Sequence, residues 1–151
     1  PKSVTALYQL SDYYKDLGRV QEQATLLRKL VKIDPRHQPA LNNLGIARYR
    51  LGEKPEALFA DYQALLAINP KNAKALQNYG YLLIEARRSA EAIATLERSV
   101  AVDPGYCTAI NNLGRAHLLN GDKPRARQFF ERATACDPAQ QKFRANLNLA
   151  R

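Results

Sequence analysis

The 151-residue sequence predicts an all-α fold built from consecutive antiparallel helix pairs. Three observations carry this expectation. An Asp/Asn-Pro dipeptide recurs at Asp34-Pro35, Asn69-Pro70, Asp103-Pro104 and Asp137-Pro138, with proline intervals of 35, 34 and 34. A bulky residue followed by glycine recurs in phase with it, at Leu44-Gly45, Tyr79-Gly80 and Leu113-Gly114. Between these marks the apolar residues follow helical rather than alternating spacing, as in Leu7, Leu10, Tyr14 and in Ala92, Leu96, Val100. A fixed period of this length marks a chain assembled from one repeated unit that buries its apolar face against its neighbours.

The first pair is predicted over residues 4–33, with Gly18 where its first helix stops, because glycine is favoured just past a helix end. The second pair spans 38–69. Pro39 and Pro55 stand near its helix starts, where a missing N–H costs nothing, and Gly52 ends its first helix. One extra residue is assigned to its second helix, between Ala57 and Pro70. The third pair spans 73–103. The fourth spans 107–137, with Gly121 and Pro124 in the same punctuating roles. The recurrent proline closes each second helix. Small residues follow each repeat glycine at fixed distances: Ala57, Ala92 and Ala126, then Ala64, Ser99 and Ala133. They are expected where partner helices approach most closely.

A ninth helix is predicted over 141–151, with Phe143, Leu147 and Ala150 inward and Arg144, Asn148 and Arg151 outward. A polar outer face suits a terminal capping helix, so the stack is expected to end here. At the other end Ala6, Tyr13 and Leu17 form an apolar face. A preceding repeat, self-association or a tolerated edge accounts for it. The chain starts at Pro1 and has no methionine, so it is expected to be a piece of a longer protein. No compartment can be read from it.

In the run that begins at Cys107, the residues Ile110, Leu113, Gly114, Ala126, Phe130, Ala133 and Pro138 occupy positions 4, 7, 8, 20, 24, 27 and 32. This pattern resembles the tetratricopeptide repeat (TPR). The third repeat also fits without a gap, the second with its one insertion. The first fits least well, with Ser11 and Gln23 at two small positions. The resemblance implies a right-handed α-solenoid in one domain over 1–151. Its repeats fall at about 4–37, 38–72, 73–106 and 107–140, followed by the capping helix at 141–151. It also implies a concave groove lined by the first helices.

Composition and motifs limit the function. Apolar residues make up 46 % and charged residues 25 %, as in ordinary soluble domains. No apolar run approaches the ~18 residues of a membrane span. The net charge of +9 is even: residues 1–75 hold 12 basic and 7 acidic groups, residues 76–151 hold 11 and 7. An even excess is weak evidence for a nucleic-acid face. Lys123, Arg125, Arg127 and Arg132, with Arg87 and Arg88 at a turn, are expected on the convex side as solubilising charge. Phosphate-binding, nucleophile-elbow, zinc-protease and C-x-x-C motifs are missing. His117 is expected in the core and His37 solvated in a loop. Cys107 and Cys136 lie at one end of the fourth pair. A disulfide between them is sterically conceivable, but buried or idle thiols are the expectation. Glu85 and Glu91 are read as solvated. The expected protein is not an enzyme and carries no cofactor or metal.

The TPR resemblance also implies which residues line the groove. Position 6 holds Asn43, Asn78, Asn112 and Asn146, a row of amides spaced one per repeat. Each amide can donate to and accept from one peptide unit, so such a row suits an extended backbone. It looks like the asparagine ladder of O-linked N-acetylglucosamine transferases, although packing between repeats accounts for it equally well. Position 5 adds Tyr8, Asn42, Gln77 and Asn111. Tyr49, Tyr81, Arg50, Lys74 and Arg115 stand at other groove positions, beside Ile84, Glu85, Leu118 and Leu119. Of the five positions of the chaperone-binding carboxylate clamp, Asn43 and Lys74 match, whereas Tyr8, Asp12 and Asn78 do not. The expected partner is a protein or peptide segment, with acidic side chains as candidate contacts for Arg50, Arg115 and Lys74. Self-assembly is the alternative, as in bacterial TPRs of pilus and secretion assembly, which the Asn- and Ala-rich texture resembles. An RNA-binding helical repeat is disfavoured because tyrosines recur irregularly.

Overall fold

The computed structural model describes residues 3–150, so Arg151 of the expected outward face lies outside the described residues. Those residues form nine α-helices and one short 3-10 helix, and no strand. The helices form antiparallel pairs, as an all-α helical repeat requires. The chain divides into two compact units, Pro1–Ile68 and Asn69–Arg151.

The first unit contains α1 (Val4–Asp16), α2 (Val20–Ile33), α3 (Gln38–Arg50), the 3-10 helix Pro55–Leu58 and α4 (Phe59–Ile68). Leu7, Leu26, Leu27 and Leu30 form its core with Ala40 of α3. Ser11 and Gln23 are buried at the close contact of α1 and α2. The Ser11 hydroxyl is satisfied by donating to the Tyr8 carbonyl at 2.7 Å. On the opposite side of α1, Tyr13 and Leu17 are more than half exposed.

Two expectations for this unit are corrected. Ala57 and Ala64 are exposed, while Leu58, Tyr62 and Leu65 are buried. The extra residue of repeat two therefore lies before Leu58 and not within α4. The turn led by Pro55 is a 3-10 helix with three residues per turn, which rotates the following face by one residue. Two leucines thus fill slots that hold Ala92 and Ser99, or Ala126 and Ala133, in the later repeats. Bulkier side chains hold partner helices farther apart. A hollow of about 390 Å³ opens here, lined by Val31, Leu41, Leu44, Leu65 and Ile68 among others. His37 is likewise not a solvated loop residue. It is half-buried, and its Nδ1 accepts from the Ala40 N–H at 3.1 Å, capping α3.

The second unit contains α5 (Ala73–Glu85), α6 (Ser89–Val102), α7 (Cys107–Leu119), α8 (Lys123–Cys136) and α9 (Gln141–Leu149). Here the small residues lie at the helix contacts: Ala92, Ser99, Ala126 and Ala133 are fully buried. Ser99 Oγ donates to the Ala73 carbonyl at 2.8 Å. A Cβ on Gly80 would lie 2.5 Å from Leu96 Cγ, and one on Gly114 would lie 2.7 Å from the Phe130 ring. α9 continues the stack: Phe143 packs with Ile110 and Ala133, and Ala150 with Ala126 and Phe130. Its Arg144 and Asn148 are exposed.

Each of the four first helices paired with a second helix ends on a residue in the left-handed region. Three are the expected glycines, Gly18, Gly52 and Gly121. The fourth is Arg87, with φ 61°, in α5's closing turn. Its N–H bonds the Ile84 carbonyl at 2.9 Å, and that of Arg88 bonds Leu83 at 2.8 Å, matching the pattern at the glycines.

The reading of idle thiols is also corrected: Cys107 and Cys136 form a disulfide, with Cα atoms 5.6 Å apart. Antiparallel packing sets the first residue of α7 beside the last of α8, within disulfide reach.

His117 is buried, as expected. Its ring stacks on Phe129 with centroids 5.3 Å apart. Burial pushes its pKa down, against a smaller upward pull from Asp122, whose carboxylate lies 3.9 Å from Nδ1. A folded-state value below the unfolded one means that the native state binds fewer protons. The resulting stability is complete above the unfolded value of about 6.5 and is lost as pH falls through the folded value. Urea unfolding from pH 7 to pH 5 should therefore show a steeper decline for the wild type than for His117→Gln. Parallel curves would disprove this coupling.

Candidate functional site

The amides at positions 5 and 6 are mostly buried. Asn42, Asn43, Gln77, Asn111 and Asn112 are each under 10 % exposed, whereas Asn78 and Asn146 are half-buried. The amides of Asn43 and Asn146 make hydrogen bonds between neighbouring helices. In the first unit, Asn43 Nδ2 donates to Tyr8 Oη at 3.2 Å and to Asp12 Oδ1 at 3.4 Å. In the second, Asn146 Nδ2 donates to Asn111 Oδ1 at 2.9 Å. Both bonds join position 6 of one repeat to the preceding first helix. Gln77 Oε1 accepts from the Tyr106 hydroxyl at 3.1 Å. Burial, then the charge of Asp12, raises the pKa of the Tyr8 hydroxyl, which stays protonated. Asp12 also pairs with Lys15 at 2.8 Å and raises its pKa.

Other expected groove residues reach the surface. Arg50 and Lys74 are exposed, and Tyr49, Tyr81 and Arg115 are half-buried. In the second unit several converge on a hollow of about 390 Å³. Ile84 and Glu85 come to it from α5, Arg115, Leu118 and Leu119 from α7, and Asn146 and Leu149 from α9. Phe130 of α8 closes the floor, and Arg87 stands at the end of α5. The hollow therefore combines an aliphatic floor with a polar rim. Arg115 organises that rim: it pairs with Glu85 at 2.8 Å, reaches Asn112 Oδ1 at 3.5 Å and lies 5.4 Å from the centre of the Tyr81 ring. A guanidinium held by a carboxylate and an aromatic face is presented in a fixed orientation.

The structure thus brings Arg115 and Asn146 together at the hollow, while Asn42, Asn43, Gln77, Asn111 and Tyr8 are occupied in packing. Arg87 is not the convex-side charge that its turn position suggested, since it lines the hollow. Leu149 was also unforeseen, although it is an apolar residue 65 % exposed. Tyr106 and His37 were missed too. Each closes a repeat and meets the position-5 side chain of that repeat: Tyr106 bonds Gln77, and the His37 ring lies 5.2 Å from that of Tyr8. Among the described residues, no group of three or more His, Cys, Asp or Glu side chains is placed to hold a metal ion. No described helix is long and apolar enough to cross a membrane.

The tetratricopeptide repeat family model matches residues 8–73 and 80–140, and a second model of the same description matches 61–94. The type IV pilus assembly protein PilF of Pseudomonas aeruginosa is 28 % identical over 130 residues, which cover 85 % of this chain and 51 % of PilF. The Hsp70-Hsp90 organizing protein of Triticum aestivum is 29 % identical over 103 residues, covering 68 % of this chain and 18 % of that protein. The chain spans about half the length of the first of these relatives and less than a fifth of the second. A solved structure of P. aeruginosa PilF superposes with a TM-score of 0.82 at 26 % identity, covering 97 % of this chain and 67 % of that one. A thermophilic TPR protein of Thermus thermophilus superposes with a TM-score of 0.90 at 19 % identity, over 98 % and 81 % of the two chains, a likeness of fold.

Proposed function

The chain belongs to the tetratricopeptide repeat family, and from that premise we propose that it is a non-enzymatic protein-binding module. It takes an extended segment of a partner on the open faces of its first helices. The observation that carries this reading is the hollow of the second unit, where three successive first helices converge. A half-buried guanidinium, backed by the Tyr81 ring, and the Asn146 amide stand there beside the exposed aliphatic side chain of Leu149. Exposed aliphatic surface rimmed by fixed polar groups is what a protein-binding site offers.

Selection from a displayed library of extended peptides tests the reading on the intact chain. Specific sequences should be enriched. Against an enriched peptide, Arg115→Ala combined with Leu149→Ala, both at the hollow, should weaken binding by about 1–3 kcal/mol through lost contacts. A library that yields no enriched sequence would refute the proposal. A role in building a larger assembly is the second reading, favoured by the similarity to PilF and by the exposed Tyr13 and Leu17. Concentration-dependent mass in place of peptide enrichment would support it.

A further inference from the structure

Arg87 breaks a rule that the chain otherwise keeps. The residue that closes the first helix of each pair has a positive φ, and at Gly18, Gly52 and Gly121 it is glycine. An L-residue is strained in this conformation because its Cβ crowds the backbone. Glycine would close α5 without that cost. The residue kept at this position is at the hollow, whose lining includes Arg87, Arg115 and one carboxylate, Glu85. Glu85 is already engaged by Arg115 at 2.8 Å. The rim therefore carries an excess positive charge above an aliphatic floor of Ile84, Leu118 and Leu119, beside the exposed Leu149. Strain held at a ligand-facing position is where a functional side chain is to be sought.

We infer that Arg87 is a partner-binding cation, and that the hollow takes a segment in which an aliphatic side chain neighbours a carboxylate. This inference rests on the protein-binding reading above and names the chemistry of its partner. The aliphatic group enters against Leu118, Leu119 and Leu149. The carboxylate meets the guanidinium of Arg87, which its turn holds at the mouth. Arg115 orients that mouth through Glu85 and Tyr81. The turn accordingly gives up stability to place a charge.

The test uses two fluorescent peptides in a Gly/Ser frame, identical except that one carries Leu-Glu pairs and the other Leu-Gln. The wild type should prefer the Leu-Glu peptide by about fivefold, the range of a partly exposed ion pair. Arg87→Gly should erase that preference while raising Tm by about 2–4 °C, because the left-handed turn is relieved. Arg87→Lys should retain part of the preference. Leu149→Ser should weaken both peptides equally. The gain in Tm separates lost recognition from misfolding. A wild type that binds both peptides alike, or binds neither, would overturn the inference, as would an Arg87→Gly variant that keeps the wild-type preference. The protein-binding reading is judged separately: a library that enriches peptides of another chemistry leaves it standing while this inference falls.

Discussion

Replacing Phe130 with alanine is expected to destabilise the second unit by about 3–5 kcal/mol, the cost of emptying a fully buried aromatic site. The ring joins Ala126 and Ala150 in one cluster, so its loss loosens α9 as well as the α7–α8 pair. Gly114 sharpens the test. A Cβ there would lie 2.7 Å from the Phe130 ring and 3.2 Å from the Ala126 carbonyl. Gly114→Ala alone should cost about 1–3 kcal/mol as overpacking. In the Phe130→Ala background its methyl enters vacated space, so the double variant should lose less than the two single losses combined. Urea denaturation of the four proteins measures this. Strict additivity would show that glycine and ring do not share one tight contact.

The second large effect concerns the disulfide. Cys107 and Cys136 are 29 residues apart in sequence. Closing a loop of that length removes unfolded-state entropy worth about 3–4 kcal/mol in the chain-entropy description. Cys136→Ser should lose that amount in oxidising buffer, and the wild type with added thiol should fall to the same stability. The variant should not respond to thiol. A loss below about 1 kcal/mol would mean that packing of α7 on α8 already restricts the unfolded chain. Phe130 and the disulfide sit at different levels of the same helix pair, so the two variants probe it separately.

The helices were legible because their punctuation is chemical: Gly18, Gly52 and Gly121 stop first helices, and Pro39 and Pro124 stand in the first turns of α3 and α8. The closest helix contacts were legible wherever alanine or serine stands alone at its slot, as at Ala92 and Ser99. Repeat two was misleading because Ala57 and Ala64 keep the right spacing from Gly45. Only the three-residue turn after Pro55 reveals that Leu58 and Leu65 take those slots. The proximity of Cys107 and Cys136 followed from the repeat register, but the direction of their Cβ atoms did not. At the candidate site, sequence named the amides but not their partners. An asparagine at position 6 has the same composition whether it turns toward a ligand or, like Asn43 and Asn146, toward the preceding helix. Arg87 was misplaced because a charge at a turn resembles solubilising charge until its backbone angle is known.

The bonds from Asn43 to Tyr8 and from Asn146 to Asn111 have a consequence for how such a chain opens. A stack of helix pairs held only by apolar contact can fray one helix at a time from its ends. A side-chain bond between successive first helices adds a coupling that skips the intervening second helix. When α9 lifts away, Asn111 on α7, buried in the intact stack, loses its partner Asn146 and the cover of that helix together. Opening at the edge thereby unpairs a group on the next repeat inward, which links the opening of neighbouring repeats to one another.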